Sequence, residues 1–372
     1  MKKIKLLLAL AVVTAFIGGC GKDKGNNENL DNQAPVESVA TEAPTEVPPT
    51  PSPTVDPHEG KVQSKLTGEY ISPKKAKKRP YAMMINNIEY AARFQSGVSQ
   101  AAILYEAKVE GGITRLMAIF EDISKLDRIG SARSARHYYV SVVDEYDAIF
   151  VHFGHTKFAT AKIEKLGVDN ISGLSGVGGK VFYRVNNISA PHNAFTSTKG
   201  LEAGRKTLKY RKNYKDDFEG HYKFYEEDTD LVSEKEAKKV TVKFSGYASP
   251  YFVYNEDEKV YYRYQYGKEH MDAAKNTQLS FKNLIIQKVD DEPIVPGHAK
   301  DYRTINFENA TGKGWYITNG KAVKITWKKN ESDSYMRYFN EDGTELVINP
   351  GKTYVALFPD EGSDLKISKK VK

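Results

Sequence analysis

Cysteine is almost absent from this chain of 372 residues, because it occurs once, at Cys20. A single cysteine cannot close an intramolecular disulfide and cannot build a cysteine-based zinc site. The stability of the folded part must therefore come from packing.

Long apolar runs are also scarce, and the most apolar one, from Leu6 to Phe16, follows a start that contains three lysines. It is too short to cross a bilayer as a helix. The residues Ile17-Gly18-Gly19-Cys20 that follow it have the pattern of a lipobox. We predict a bacterial lipoprotein signal peptide over residues 1–20, cleaved before Cys20, whose thiol is acylated with diacylglycerol. A secretory leader that contains a cysteine by chance and an uncleaved membrane anchor are the alternatives.

Large apolar residues are nearly missing from residues 26–60, which contain seven of the 15 prolines. A segment of this composition cannot bury a core. We predict a disordered tether rich in Pro, Glu and Thr over residues 21–68. Extended at ~3.1 Å per residue, it would hold a folded part on the order of 100 Å from the lipid.

Acidic residues are in excess in residues 21–60, where eight of them oppose two lysines, for a net charge of −6. Because the leader carries +3 and the whole chain +7, residues 61–372 carry +10. A basic surface concentrates anions, and outside a cell these are lipid headgroups, teichoic-acid phosphates and peptidoglycan carboxylates rather than nucleic acid. The alternative is that the lysines only keep the protein soluble.

The first half of the folded part mixes short apolar runs with helical segments, and it reads as an α/β-type domain over residues 69–225. We predict a helix over residues 132–146 with Ser131 as its N-cap, and a second helix that follows His155 and stops near Gly167. The predicted strands are Tyr81 to Ile85, Ala101 to Glu106, Ile113 to Phe120 and Ala148 to Phe153.

The second half is rich in tyrosine and valine in short runs separated by turns, and it reads as a β-rich domain over residues 240–360. Asn319-Gly320 and Asp342-Gly343 are hairpin turns in this reading. The fold class that we expect is therefore a mixed α+β. The predicted strands are Val240 to Phe244, Tyr251 to Tyr254, Val260 to Tyr266, Leu284 to Val289, Gly314 to Thr318, Ala322 to Trp327, Tyr335 to Phe339 and Tyr354 to Phe358.

Three arginines, Arg115, Arg133 and Arg136, stand near glycine-rich turns in the first half. Arginine binds carboxylate and phosphate groups bidentately, and a helix N-terminus beside Arg133 and Arg136 would add unpaired N–H groups. We predict an anion-binding site formed by these arginines, with Glu106 and Glu110 orienting them. The alternative is a solvated face whose arginines brace neighbouring loops.

The histidines His152, His155 and His192 with a glutamate could in principle bind zinc. Their spacing fits no familiar ligand framework, so we expect structural histidines, no metal and no cofactor.

A glycan-cleaving enzyme is the alternative function, either a glycosidase or a lytic transglycosylase. Glu106 or Glu110 would be its general acid, and His192 or Asn193 would position the substrate. Nearby arginines would lower the pKa of such a glutamate, which works against that role.

An ordered series of short motifs resembles the YerB-like lipoprotein family, a family catalogued as a domain of unknown function. The resemblance covers about residues 79–358, and the sequence departs from the family pattern at Phe94, where a proline is expected, and at Ser131-Ala132, where Pro-Val is expected. The motifs are Ile85-Asn86-Asn87, Gln95-Ser96-Gly97, Tyr105-Glu106, Glu110-Gly111-Gly112-Ile113-Thr114-Arg115, Arg133-Ser134-Ala135-Arg136 and Pro191-His192-Asn193.

The resemblance implies an N-terminal mixed domain followed by a β-rich domain, in a Gram-positive type of envelope with a link to wall synthesis. Together with the residue patterns, it predicts a lipoprotein anchored through Cys20 on the outer face of the cytoplasmic membrane. Its expected partners are the membrane and peptidoglycan, teichoic acid or a wall-synthesis protein.

Overall fold

The structure is a computed structural model that describes residues 56–294, 301–330 and 335–371. The predicted signal peptide, Cys20 and the tether up to residue 55 lie outside the described residues. The helices are α1 (Pro73–Ala76), α2 (Glu89–Ala92), α3 (His137–Glu145), α4 (Lys157–Leu166), α5 (Gly178–Val181) and α6 (Thr198–Thr207), with short 3-10 turns at Val98–Gln100 and Glu110–Gly112.

The strands of the two large sheets are distributed along the whole described chain. In the first half they are β1 (Tyr81–Asn87), β2 (Ile103–Lys108), β3 (Thr114–Phe120), β4 (Ile149–His152) and β5 (Asn170–Ser172). In the second half they are β6 (Lys239–Lys243), β7 (Tyr251–Asn255), β8 (Val260–Gln265), β9 (Lys268–Glu269), β10 (Ser280–Phe281), β11 (Asn283–Pro293), β12 (Arg303–Asn306), β13 (Ala310–Thr318), β14 (Lys321–Lys329), β15 (Arg337–Asn340), β16 (Thr353–Pro359) and β17 (Asp364–Ser368).

Further strands of two or three residues pair in small sheets. They are Val62–Gln63, Tyr70–Ile71, Ile129–Gly130, Tyr183–Arg184, Ala194–Thr196, Lys223–Phe224, Met271–Asp272, Thr277–Gln278 and Val347–Ile348.

One central sheet runs through both halves of the chain, in the order β15-β14-β13-β11-β16-β2-β3-β1-β4-β5. Its middle strand β16 pairs in parallel with β11 of the second half and with β2 of the first half. Every residue of β1, β3 and β16 is buried, and each strand contains an apolar run in the sequence, over residues 81–85, 116–120 and 354–359. The strand predictions are confirmed there because burial on both faces removes polar alternation.

A second, antiparallel sheet in the order β9-β8-β7-β6-β17 packs on one face of the central sheet. Its strand β8 alternates half-buried and buried residues, and the buried ones include Tyr261 and Arg263. The ring centroids of Phe252 in this sheet and Tyr354 in β16 lie 4.6 Å apart. On the opposite face of the central sheet, α3 contributes Tyr139 and Val143 to a separate core.

The predicted helix over residues 132–146 is shorter in the structure, where α3 begins at His137. Residues 132–135 are extended instead, because Arg133 donates its backbone N–H to Met84 and Ala135 donates to Gly154, at 3.0 and 2.9 Å. Ser131 is therefore not an N-cap, and Arg133 and Arg136 do not share a helix face. The second helix, α4, is confirmed and ends at Gly167 in the left-handed conformation.

The end of the predicted tether at residue 68 is also corrected. Val62–Gln63 pairs with Tyr70–Ile71, and the Leu66 side chain between them is fully buried, which fixes this segment on the folded part. The division into domains at residues 225–240 stays a prediction. Across the described ranges, the structure contains no helix with the length and apolar character that a bilayer-spanning segment needs.

Candidate functional site

The turn between β2 and β3 brings Glu110 and Arg115 to the end of the central sheet. Gly111 and Gly112 both have positive φ, of 69° and 70°, which glycine adopts without steric cost and which reverses the chain within a few residues. The extended segment that contains Arg133 and Arg136 runs beside this turn. We call Arg115, Arg133 and Arg136 the arginine cluster.

Arg136 is bound by Glu110 in a bidentate ion pair, with 2.6 Å between its Nε and Glu110 Oε1. Burial opposes the charge of Arg136, but the bond to Glu110 outweighs it and raises the pKa of the guanidinium. This contact supports the prediction that Glu110 orients an arginine.

Arg115 lies next to this pair without an ion pair of its own among the described residues. Its Nη1 donates to the carbonyl of Ser134 at 2.9 Å, and Arg136 Nη1 donates to the same oxygen at 3.3 Å. Arg115 is only 4% exposed, and its Nε has no hydrogen-bond partner in the described part of the chain. Burial, then Arg136 and Arg133, lower the pKa of Arg115 to about 9.

Arg133 is the most accessible member of the cluster. Its Nη1 reaches the carbonyl of Pro191 at 3.4 Å, and its Nε has no partner among the described residues. Burial and then Arg136 lower the pKa of Arg133. The cluster thus combines three guanidinium groups with one paired carboxylate, an arrangement that an additional anion would stabilise.

His192 and Asn193 stand beside the cluster but differ in exposure. His192 is half-buried, its Nδ1 lies 2.8 Å from Asn86 Nδ2, and burial and then Arg133 lower its pKa. Asn193 is buried, and its Oδ1 accepts from Arg184 at 2.7 Å. His192 therefore borders the cluster, whereas Asn193 braces a neighbouring strand pair.

Glu106 is not in the arginine cluster, because its side chain is fully buried between the two large sheets. Its Oε2 accepts from Arg263 Nη2 at 2.7 Å and from the Tyr354 hydroxyl at 2.8 Å. Its Oε1 accepts from Thr114 at 2.6 Å and from Asn87 at 3.1 Å. Four donors thus converge on one carboxylate. The prediction that Glu106 orients the clustered arginines has no contact in its support.

The network continues from Arg263 toward the surface. Arg263 Nη1 donates to Gln265 Oε1 at 2.7 Å and to His270 Nδ1, and His270 Nε2 contacts Gln95. Burial and then Arg263 lower the pKa of His270 well below its usual value, so the ring is neutral. Arg263 is not among the site residues predicted from the sequence. Its position on the inward face of an alternating strand, between Tyr261 and Gln265, was the signal that a buried partner exists.

This geometry offers little to the glycan-cleaving alternative. A general acid must reach the glycosidic oxygen, but Glu106 is 0% exposed and all four contacts to its carboxylate come from donors. Glu110 is held by both oxygens on Arg136. Neither carboxylate is placed to donate a proton to a substrate.

The other histidines are packed separately. His152 is buried with its Nδ1 on the Gly154 carbonyl at 2.8 Å, whereas His155 is exposed with its ring centroid 6.0 Å away. Among residues 56–294, 301–330 and 335–371, no three potential ligands are grouped as a metal site would require.

The buried His152 gives the fold a pH dependence, because burial lowers its pKa to about 4. In the unfolded chain the histidine pKa is ~6.5, so the histidine binds a proton as the pH falls below 6.5, whereas the folded chain does not yet bind one. Stability is thus lost between pH 6.5 and 4. The variant His152→Asn can still donate to Gly154 but does not titrate. Between pH 7 and pH 4.5, the free energy of unfolding should therefore fall by about 2 kcal/mol more in the wild type than in this variant. Urea unfolding at both pH values measures this difference, and equal losses would contradict it.

Comparison with known proteins places the chain among relatives. Residues 66–211 match the family described as "Protein of unknown function (DUF3048) N-terminal domain", and residues 240–355 match the corresponding C-terminal domain. The "Putative lipoprotein YerB" of Bacillus subtilis (strain 168) is 30% identical over 303 residues, which are 81% of this chain and 87% of that protein. The crystal structure of YerB protein from Bacillus subtilis superposes with a TM-score of 0.71 at 27% identity, covering 82% of this chain and 99% of that one.

The matched regions include the residues described above. The arginine cluster and Glu106 fall in the first matched region, and Arg263 falls in the second. A relative named as a lipoprotein fits a membrane-anchored place in the cell envelope. The match in sequence and in structure over most of both proteins confirms the resemblance found in the motifs, and the chain belongs to the YerB-like lipoprotein family of unknown function.

Proposed function

We propose that this protein is a non-catalytic lipoprotein on the outer face of the cytoplasmic membrane that binds an anionic component of the cell wall through the arginine cluster. The observation that carries the proposal is Arg115, a buried guanidinium with an unused donor and with two further arginines beside it. A bound phosphate or carboxylate would supply the missing negative charge.

The placement of the cluster supports ligand access through Arg133. Arg136 is saturated by Glu110, and Arg115 is buried, so Arg133 is the arginine that a polymer would meet first. The net charge of residues 61–372, which is +10 with the cluster included, would attract the same polymer from a distance.

Cys20 and the proline-rich segment supply the proposed geometry. Acylation of Cys20 would hold the N-terminus in the membrane, and the predicted tether would let the folded part reach into the wall. A wall-synthesis protein that carries an acidic surface is the alternative partner for the same cluster.

Arg133→Ala is expected to weaken binding to purified cell-wall sacculi about tenfold, which corresponds to ~1.4 kcal/mol and to the loss of one charge-assisted contact. Co-sedimentation of the full-length protein in non-ionic detergent, at low and moderate salt, measures the affinity. Sacculi with teichoic acid intact and sacculi from which it has been stripped distinguish phosphate from peptidoglycan carboxylate.

Arg211→Ala is the matched control for this experiment. It removes the same charge from an exposed arginine that pairs with Asp147, away from the cluster. Equal weakening by Arg211→Ala would show that the basic surface as a whole binds the wall. Absence of any binding by the wild type would leave a wall-synthesis protein as the partner to test.

A further inference from the structure

A cavity of about 690 Å³ opens between the two halves of the folded part, on the far side of the buried network from β16. Its walls are α2 of the first half and the β8–β9 hairpin of the second half. The volume lies within the ~300–1,000 Å³ that small-ligand pockets occupy. Nothing in the proposed binding of an anion uses this cavity.

The floor of the cavity contains a buried hydrogen-bond donor that is not satisfied. Gln265 lines the cavity and is 6% exposed, and its Oε1 accepts from Arg263 at 2.7 Å. Because arginine can only donate, the amide oxygen of Gln265 must face Arg263. The amide nitrogen Nε2 therefore faces away from Arg263. Gln265 Nε2 has no partner among the described residues. A buried donor left unpaired is destabilising, so the site favours a ligand that brings an acceptor.

The sides of the cavity present aromatic rings whose hydroxyl groups are already engaged. The hydroxyl of Tyr266 donates to the Asn87 carbonyl at 2.7 Å, and the hydroxyl of Tyr90 accepts from the backbone of Ser189 at 3.0 Å. The Tyr247 ring lies edge to face with Tyr266 at 5.8 Å and is 44% exposed. The rings therefore offer their faces and edges, and the Tyr90 hydroxyl, which accepts from Ser189, keeps its own O–H to donate.

Tyr266 occupies a backbone position that opposes a tyrosine. It has φ of 52° and Gly267 has φ of 72°, so the β8–β9 turn needs two left-handed residues, for which Asn-Gly is the usual pair. This conformation has a steric cost for any residue with a Cβ. The contact of Tyr266 with Asn87 offsets part of that cost and holds the ring at the cavity.

The rim of the cavity carries balanced charges. Glu89 and Glu269 oppose Arg93 and Lys268, so the cavity selects for neither sign. A neutral ligand with hydroxyl groups can bond to both kinds of side chain at once. A neutral polar molecule with an apolar face and one amide acceptor meets every one of these conditions.

We propose that this cavity is a glycan-binding site for N-acetylated amino sugars. The pyranose ring would pack on Tyr247 and Tyr266, and the acetamide carbonyl would accept the hydrogen bond from Gln265 Nε2. The site borders the arginine cluster, since the Tyr90 ring contacts His192 at 5.4 Å and His192 lies beside Arg133. The proposal does not depend on anion binding, because its ligand is neutral.

Chitotetraose, a neutral N-acetylglucosamine oligomer, tests the site against cellotetraose, which has the same backbone without acetamide groups. Calorimetric titration of the full-length protein in detergent should show chitotetraose binding at least tenfold more tightly. Gln265→Glu keeps an oxygen on Arg263 and replaces the unused donor by an acceptor, so it should abolish the preference. Tyr247→Ala should weaken chitotetraose at least fivefold, and Tyr247→Phe should not.

Tyr183→Ala is the matched control, because Tyr183 is 42% exposed and lies outside the cavity. Circular dichroism of each variant shows whether it is folded, and Tyr247→Ala tests the site even where Gln265→Glu does not fold. Equal affinity for the two oligosaccharides, or binding of an acetylated stem peptide in place of chitotetraose, would overturn the proposal. Unchanged binding of sacculi by Arg133→Ala would leave it intact.

Discussion

Replacing Glu106 by glutamine is expected to lower the free energy of unfolding by about 3–5 kcal/mol, the usual cost of breaking a buried ion pair by removing one partner. Arg263 would remain charged, with both side chains 0% exposed in the wild type. The amide of the new glutamine would also meet a donor whichever way it turned, because all four groups around the carboxylate donate. Urea unfolding followed by circular dichroism measures the loss.

Glu110→Gln is the control for this prediction. It also breaks a glutamate–arginine ion pair, but Glu110 is 21% exposed, so water can solvate the arginine that is left. We therefore expect the free energy of unfolding to fall by only about 1 kcal/mol. Arg263→Met removes the buried charge, so the double variant with Glu106→Gln should cost less than the sum of the two single changes. If Glu106→Gln lowered the free energy of unfolding by less than 1 kcal/mol, the ion pair between Glu106 and Arg263 would not be buried from water, which would contradict the structure.

Splitting the chain at residue 235 is expected to leave both pieces unfolded when each is made alone. The first piece would lose β16 from the edge of β2, and Glu106 would lose Arg263 and Tyr354. The second piece would lose the partner of β16 in the middle of the sheet. Thermal melting of each piece, followed by circular dichroism, should show no cooperative transition, and co-expression of both should restore one.

The pieces made separately are to be compared with the pieces obtained by cutting the folded protein at the same position. An inserted protease site at residue 235, cut in the folded protein, should leave the two pieces associated in size-exclusion chromatography. A sigmoidal melt of the first piece alone would contradict this prediction and would support the division into two domains that the sequence predicts.

The sequence predicts individual strands better than it predicts their neighbours. Tyr81–Asn87 and Thr353–Pro359 are recognisable because both faces are buried and the apolar run is continuous. That β16 lies between β2 and β11 has no local sign, since the pairing of Glu106 with Ala356 spans most of the chain. The start of α3 is mispredicted because hydrogen bonds from distant strands hold residues 132–135 extended, which overrides the local capping pattern.

In the candidate site, too, contacts between residues that are near along the chain are predictable, and contacts between distant residues are not. Arg115, Arg133 and Arg136 are near one another along the chain, and Arg115 and Arg136 both donate to the Ser134 carbonyl, so spacing along the chain is informative there. The partner of Glu106 is 157 residues away in another sheet, so the sequence gives no sign that Glu106, predicted to orient the arginines or to act as a general acid, is held in a buried ion pair. The cavity is formed by segments about 170 residues apart, and its unsatisfied amide follows only from the position of Arg263.

The position of β16 also sets the order of events during biosynthesis. The chain emerges from the ribosome from its N-terminus, yet the strand that completes the middle of the central sheet begins only at Thr353, after every other strand of that sheet. Until that strand arrives, the edges of β2 and β11 have no partner and remain open to misassembly. The central sheet is therefore completed only after Thr353–Pro359 has been synthesised, and a chain that terminates before Thr353 would lack the strand that joins its two halves.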